Sequence, residues 1–157
     1  MSKATPATRA LAQAGIDFEL VDYDYAGDAD HKGLQAAQAL GEPPGQVLKT
    51  LLAYVDGKPV CVVVPSDHEI AMKKLAAAFH GKSAQMMPPA EAERSSGYHV
   101  GGISPLGQRK RLPTVVEAAA AAHPYVLVNA GQRGLLAKLA PQALLDATAA
   151  TLAPIVA

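Results

Sequence analysis

The sequence predicts an α+β domain built on a mixed or antiparallel sheet, and three observations carry that prediction. Two strand-like runs, Val47–Val55 and Lys58–Val64, flank the dipeptide Asp56-Gly57, which is the signature of a two-residue β-hairpin. Helical and strand-like segments mix along the rest of the chain without the regular βαβ rhythm of a parallel sheet. Half of the 157 residues are hydrophobic and the mean hydropathy is +0.11, enough for one core without metal or disulfide staples. Residues 1–157 therefore read as one domain.

In chain order, Thr5-Pro6 starts a helix, with a hydroxyl cap and a proline where its missing N–H costs nothing, and Gly15 stops it. Asp17–Tyr23 reads as a strand and the acidic Asp24–Lys32 as a loop. Leu34–Leu40 is a short helix closed by Gly41, and Glu42–Gly45 a second loop. In Val47–Val55, alternation puts Leu48, Thr50, Leu52 and Tyr54 on one face. Val47, Lys49, Leu51, Ala53 and Val55 share the other, so Lys49 is the one charge on an otherwise apolar face. Local conflicts of that kind gather at functional sites.

Ser66–Glu69 has capping-box spacing ahead of a helix using Ile70, Leu75, Ala78 and Phe79, with Gly81 as its end. Ser83–Met87 is a short extended segment, and Pro88-Pro89 opens a helix to about Ser96. Tyr98–Leu112 is glycine-rich and basic. Thr114–Glu117 and Tyr125–Asn129 read as strands around an alanine-rich helical turn. Gly131–Gly134 is a tight connection, Leu135–Leu139 a strand and Pro141–Asp146 a helix start.

Composition excludes several classes. No apolar run reaches the ~18 residues of a membrane span. A polar Met1–Gly15 with one cysteine in the chain points to a reducing cytoplasm. The zero net charge hides a split: residues 1–93 hold 8 basic and 12 acidic side chains, residues 94–157 hold 6 and 2. Arg109, Lys110 and Arg111, with Arg94 and Arg133, form either a phosphate-attracting cluster or a solvated face. The five histidines show no paired ligand spacing and no Cys-x-x-Cys exists, so no metal is expected. Cys61, mid-strand, reads as buried and inert. There is no Gly-x-Ser-x-Gly elbow and no nucleotide-binding glycine loop.

What remains is Gly101-Gly102-Ile103-Ser104-Pro105-Leu106-Gly107. Paired glycines let backbone N–H groups approach a ligand and form an anion- or oxyanion-binding concavity; a sharp turn is the plainer reading. Gly131-Gln132-Arg133-Gly134 is either a second lip of that pocket or a hairpin. Lys49 is either functional or a lysine whose stem packs while its ammonium reaches water.

Val47-Leu48-Lys49-Thr50-Leu51-Leu52, Gly97-Tyr98, the Gly101–Gly107 run and Gly131–Gly134 occur in the order seen in YbaK/EbsC proteins. With Thr5-Pro6-Ala7, the chain resembles that family over about residues 3–155. The resemblance implies a mixed, partly barrel-like β-sheet flanked by helices, similar to the editing insertion of bacterial prolyl-tRNA synthetase. It implies a trans-editing deacylase of mischarged Cys-tRNA(Pro), in which the substrate's own thiol attacks its ester and no cofactor takes part. The partner it implies is aminoacyl-tRNA at the tRNA(Pro) acceptor end, assisted by prolyl-tRNA synthetase. By the same resemblance Lys49 is the essential lysine, seating the ester through a phosphate or the terminal adenosine, and Gly101 lines the carbonyl. Tyr23, Gly102, Ser104, Asn129 and Arg133 complete the expected substrate-binding set. Two positions depart from the family: Asn129 stands where a serine is common, and Leu136 where an acidic residue is. Alternatives are deacylation of Ala-tRNA(Pro) or other small aminoacyl-tRNAs, and a non-catalytic module binding aminoacyl-tRNA or a synthetase.

Overall fold

The computed structural model describes residues 4–25 and 32–157. Most of the expected Asp24–Lys32 loop, with His31, lies outside the described residues. Helix α1 (Pro6–Gln13) is capped as its sequence requires: Thr5 Oγ1 accepts from the Thr8 N–H at 3.1 Å and the Thr8 side chain answers the Thr5 N–H at 2.8 Å. Thr5 Oγ1 also donates to Ala130 O at 2.5 Å, tying α1 to the strand beneath it.

Strand β1 (Glu19–Asp22) and helix α2 (Lys32–Leu40) precede the hairpin of β2 (Leu48–Val55) and β3 (Lys58–Pro65). Asp56 and Gly57 both have positive φ, 50° and 80°, as a two-residue hairpin turn of right-handed twist demands. Then follow α3 (Met72–Ala78), β4 (Ala84–Met86), α4 (Pro89–Ser96), β5 (Thr114–Glu117), β6 (Val126–Gln132), β7 (Leu135–Leu139), α5 (Pro141–Thr148) and β8 (Thr151–Ala153). One sheet runs β4-β2-β3-β5-β8, mixed, with β3–β5 and β5–β8 parallel. The other, β1-β7-β6, is antiparallel. An isolated parallel bridge from Val47 to Leu127 joins them, so the barrel-like wall stays open.

The uninterrupted apolar run Val60–Val64 follows from burial on both faces. Cys61 and Val63 enter the larger core with Leu48 and Leu52, while Val60, Val62 and Val64 enter a second core with Ala53 and Val55. A third cluster, Ala36, Ala37, Val47, Leu127 and Leu136, seats α2 against β6 and β7.

Two local expectations are corrected. Ser66 and Glu69 form no capping box: α3 begins at Met72, its cap residue Ala71 makes no side-chain bond, and Ser66 Oγ instead donates to Pro44 O at 3.0 Å. Ile70 is taken into an antiparallel bridge with Val156, which holds Ser66–Ala71 out of a helix. Strand β8, unforeseen from its short Thr-Leu-Ala run, adds the parallel edge of the mixed sheet.

Glu117 anchors that edge. Its carboxylate accepts from the N–H groups of Ala119 (2.8 Å), Ile155 (2.8 Å) and Val156 (3.1 Å) while the residue is 4% exposed. Burial pushes this carboxyl up, but the three donors and nearby His68 outweigh it and hold it below the ordinary glutamate value. A depressed folded value gives stability that is complete above the unfolded value, about 4.3, and is lost as pH falls through the folded one. Glu117→Gln is therefore expected to lower the urea midpoint at pH 7 and to flatten its decline below about pH 4. An unchanged acid limb would remove Glu117 from this role.

Candidate active site

The pairing of β4 with β2 stops at Ala53, so the first half of β2 has no β4 partner beside it. A cavity of about 630 Å³ lies there, walled by β2, α4, the Val100–Ile103 loop, and Asn129 and Leu136 from β6 and β7. Its lining is mostly apolar, including Leu51, Ile70, Met72, Met86, Met87 and Leu136. Lys49 stands in this wall with its side chain 23% exposed, and its Nζ lies 3.5 Å from Glu69 Oε1.

The glycine loop is held from several sides. Gly101 has φ +93°, and a Cβ there would lie 2.5 Å from the Tyr25 hydroxyl, so only glycine fits. Its carbonyl accepts from Asn129 Nδ2 at 3.1 Å. The same Asn129 accepts through Oδ1 from Gly131 N–H (2.7 Å) and Gln132 N–H (3.2 Å), at an irregularity in the β6–β7 register. One side chain thus binds the first glycine run to the second. Arg133 Nε donates to Val100 O at 2.9 Å and its guanidinium lies 5.5 Å from the Tyr25 ring centre. Glu93 receives the Val100 N–H at 2.9 Å, which holds its carboxyl below the ordinary value against the cost of burial.

The expected site residues separate into three groups. Lys49, Gly101, Tyr23 and Asn129 all line the cavity. Gly102 and Arg133 sit behind the loop: the Gly102 N–H is donated to His99 O at 2.8 Å, so the pair of amides expected for an anion-binding concavity is not presented. A Cβ on Gly102 would come 3.0 Å from the Arg133 backbone nitrogen, which makes this glycine a close-packing position. Ser104 is fully buried away from the cavity, its hydroxyl accepting from the Leu106 N–H at 3.2 Å, because it folds the turn that follows. Burial pushes the Tyr23 hydroxyl above its ordinary value, with Tyr25 adding to the effect.

Glu69 and Thr50 are among the lining residues that sequence reasoning did not place in the site. Glu69 carried only a mistaken helix-capping signal. Thr50 stood in the family-like run beside Lys49 without a role assigned to it, and its Oγ1 is buried with no hydrogen-bond partner. Among the described residues the wall holds no cysteine or histidine. Cys61 is buried, and desolvation pushes its thiol up to about 12, which removes it as a nucleophile. Among the described residues no group of three His, Cys, Asp or Glu side chains is placed to hold a metal ion. No helix there is long and apolar enough to cross a membrane. The site can orient a small polar ligand against a cation and a rigid loop, and among the described residues its wall brings hydroxyl groups but no thiol or imidazole.

The chain belongs to the aminoacyl-tRNA editing domain family, which matches residues 31–147. Relatives of this chain are named as aminoacyl-tRNA deacylases. A protein named as a candidate Cys-tRNA(Pro)/Cys-tRNA(Cys) deacylase, EbsC of Enterococcus faecalis, is 35% identical over 92% of this chain and 88% of its own. The multifunctional Ser/Thr-tRNA deacylase ProXp-y of Escherichia coli is 26% identical over 68% of this chain and 64% of its own. A solved structure described as a candidate trans-editing enzyme for prolyl-tRNA synthetase superposes with a TM-score of 0.85 over 99% of both chains at 24% identity, a likeness of fold.

Proposed function

We propose that this chain is a trans-editing deacylase that removes cysteine from mischarged Cys-tRNA(Pro) by substrate-assisted cyclisation. The observation that carries the reading is a lysine ammonium in the wall of a mostly apolar cavity, with no thiol or imidazole among the described lining residues. In the proposed step the substrate thiol sulfur attacks the ester carbonyl carbon. The C–S bond forms, the bond from carbon to the ribose oxygen breaks, and the thiol proton passes to that oxygen. The products are a cyclic thiolactone and tRNA with its free hydroxyl. Intramolecular attack in a held geometry reaches effective molarities on the order of 10⁵ M or more, so orientation supplies the rate. Lys49 seats a phosphate or the ester oxygen, and Gly101 lets backbone approach the carbonyl.

Such an activity answers a physical need. A prolyl site of small apolar character cannot strongly reject an amino acid of similar size, because one methylene is worth only about 1–3 kcal/mol. Prolyl-tRNA synthetase, supplier of the mischarged ester, is the proposed assisting partner. A second reading, release of alanine, serine or other small aminoacyl groups by water, is favoured by the apolar Leu136 in the cavity wall.

Deacylation of Cys-, Ala- and Ser-tRNA(Pro), with the released product identified by mass, separates the two. Thiolactone from the cysteinyl ester alone is the expected result. Comparable loss of alanine or serine would replace it with the water-based route, and no loss from any ester would leave a binding module.

A further inference from the structure

The described cavity wall contains one carboxylate, that of Glu69, and it stands beside the one cation there. The backbone of this residue is fixed independently of the ion pair. Its carbonyl accepts the Ala157 N–H at 2.9 Å and Ile70, next in the chain, bridges to Val156. The Glu69 side chain is 77% exposed, and an ion pair so open to water adds little to stability. The pair is therefore not explained by the fold.

Opposite charges set side by side at a cavity wall match a ligand that carries its own adjacent, opposite charges. An aminoacyl ester of a nucleotide is such a ligand. Its α-ammonium is attached to the carbon next to the ester carbonyl, and phosphate lies beyond the ribose. With Lys49 toward the phosphate or ester oxygen, the ammonium meets a described wall in which Glu69 is the one anionic acceptor: Tyr23, Thr50 and Ser66 offer neutral hydroxyls, and Leu51, Ile70, Met72 and Leu136 offer no acceptor side chain. A cation entering such a wall needs a partner carboxylate.

We propose that Glu69 recognises the free α-ammonium of the aminoacyl group and so confines the site to esters whose amino group is unblocked. Resting on the deacylase reading above, this makes Glu69 a specificity residue. N-acylated esters, including peptidyl-tRNA, are turned away because acylation removes the charge and leaves the carboxylate unanswered.

The test uses the intact protein with cysteinyl- and N-acetylcysteinyl-tRNA(Pro). It is run beside equilibrium binding of 3′-cysteinylamido-adenosine, an uncleavable amide, with its amine free or acetylated. Wild type is expected to favour the free amine by about tenfold or more in kcat/KM and in Kd. Glu69→Gln is expected to bring both ratios near one, chiefly through KM, and Glu69→Asp to restore part of the preference. Equal slowing of both esters by Glu69→Gln would mean that it acts only through Lys49, and an unchanged ratio would mean that it does not meet the amine. Either overturns the proposal. Should wild type cleave neither ester, the deacylase reading falls, and the two amides still decide whether Glu69 reads the ammonium.

Discussion

Replacing Lys49 by alanine is expected to lower kcat/KM for deacylation by about 10²–10³-fold, the scale of removing one preorganised charge-stabilising donor from an acyl-transfer site. The protein should stay folded. Lys49 is partly exposed, and its pair with the open carboxylate of Glu69 is worth no more than about 0.2–1 kcal/mol to stability. Single-turnover deacylation alongside urea unfolding checks both halves of the statement. A Lys49→Ala protein with a native urea midpoint and undiminished turnover would remove the lysine from the mechanism. Lys49→Arg is expected to recover little, because a planar fork does not replace a point charge on a flexible stem.

The second large effect is on stability. Gly107 has φ +63°, and a Cβ there would lie 2.5 Å from Pro6 O and 2.6 Å from Pro6 C, backbone atoms of the first turn of α1. A side-chain neighbour could rotate aside; these cannot. Gly107→Ala is expected to cost about 2–4 kcal/mol, combining roughly 1 kcal/mol for the left-handed backbone with overpacking of about 1–3 kcal/mol. Gly41→Ala is the control, since it shares a positive φ of 66° but has nothing within 4 Å. Its cost should be the backbone share alone, about 1 kcal/mol. Equal urea midpoints for the two variants would show that the loop and α1 are less closely packed than the structure has them.

These two positions also mark how legible the protein is. Lys49 was visible as a charge on an apolar strand face because alternation in a strand is a local property with period two. The sequence resemblance then singled it out. The hairpin at Asp56-Gly57, the Thr5 cap and the α5 start at Pro141 were legible for the same reason, each resting on turn or cap chemistry within a few residues. The valine run of β3 announced a strand but not that two separate cores claim its faces.

Where distant segments meet, the sequence was silent or misleading. Ser66 and Glu69 have the spacing of a helix cap, yet the bridge between Ile70 and Val156 overrides that local preference. The motif containing Ser104 names its residues without saying which face the cavity and which fold the turn. Asn129 reads as a strand residue, and only the approach of β6 to the glycine loop makes it the clamp between Gly101 and Gly131.

By itself, then, the sequence determined the α+β class, the hairpin, most of the helices and the lysine, because periodicity, caps and turn residues act over a few positions. Tertiary structure decided the cavity, the loss of the Gly102 amide to His99, and the meeting of Glu69 with Lys49 across 20 positions of chain. Those depend on where β4 stops pairing and where the C-terminal segment lands, and no short-range pattern encodes either.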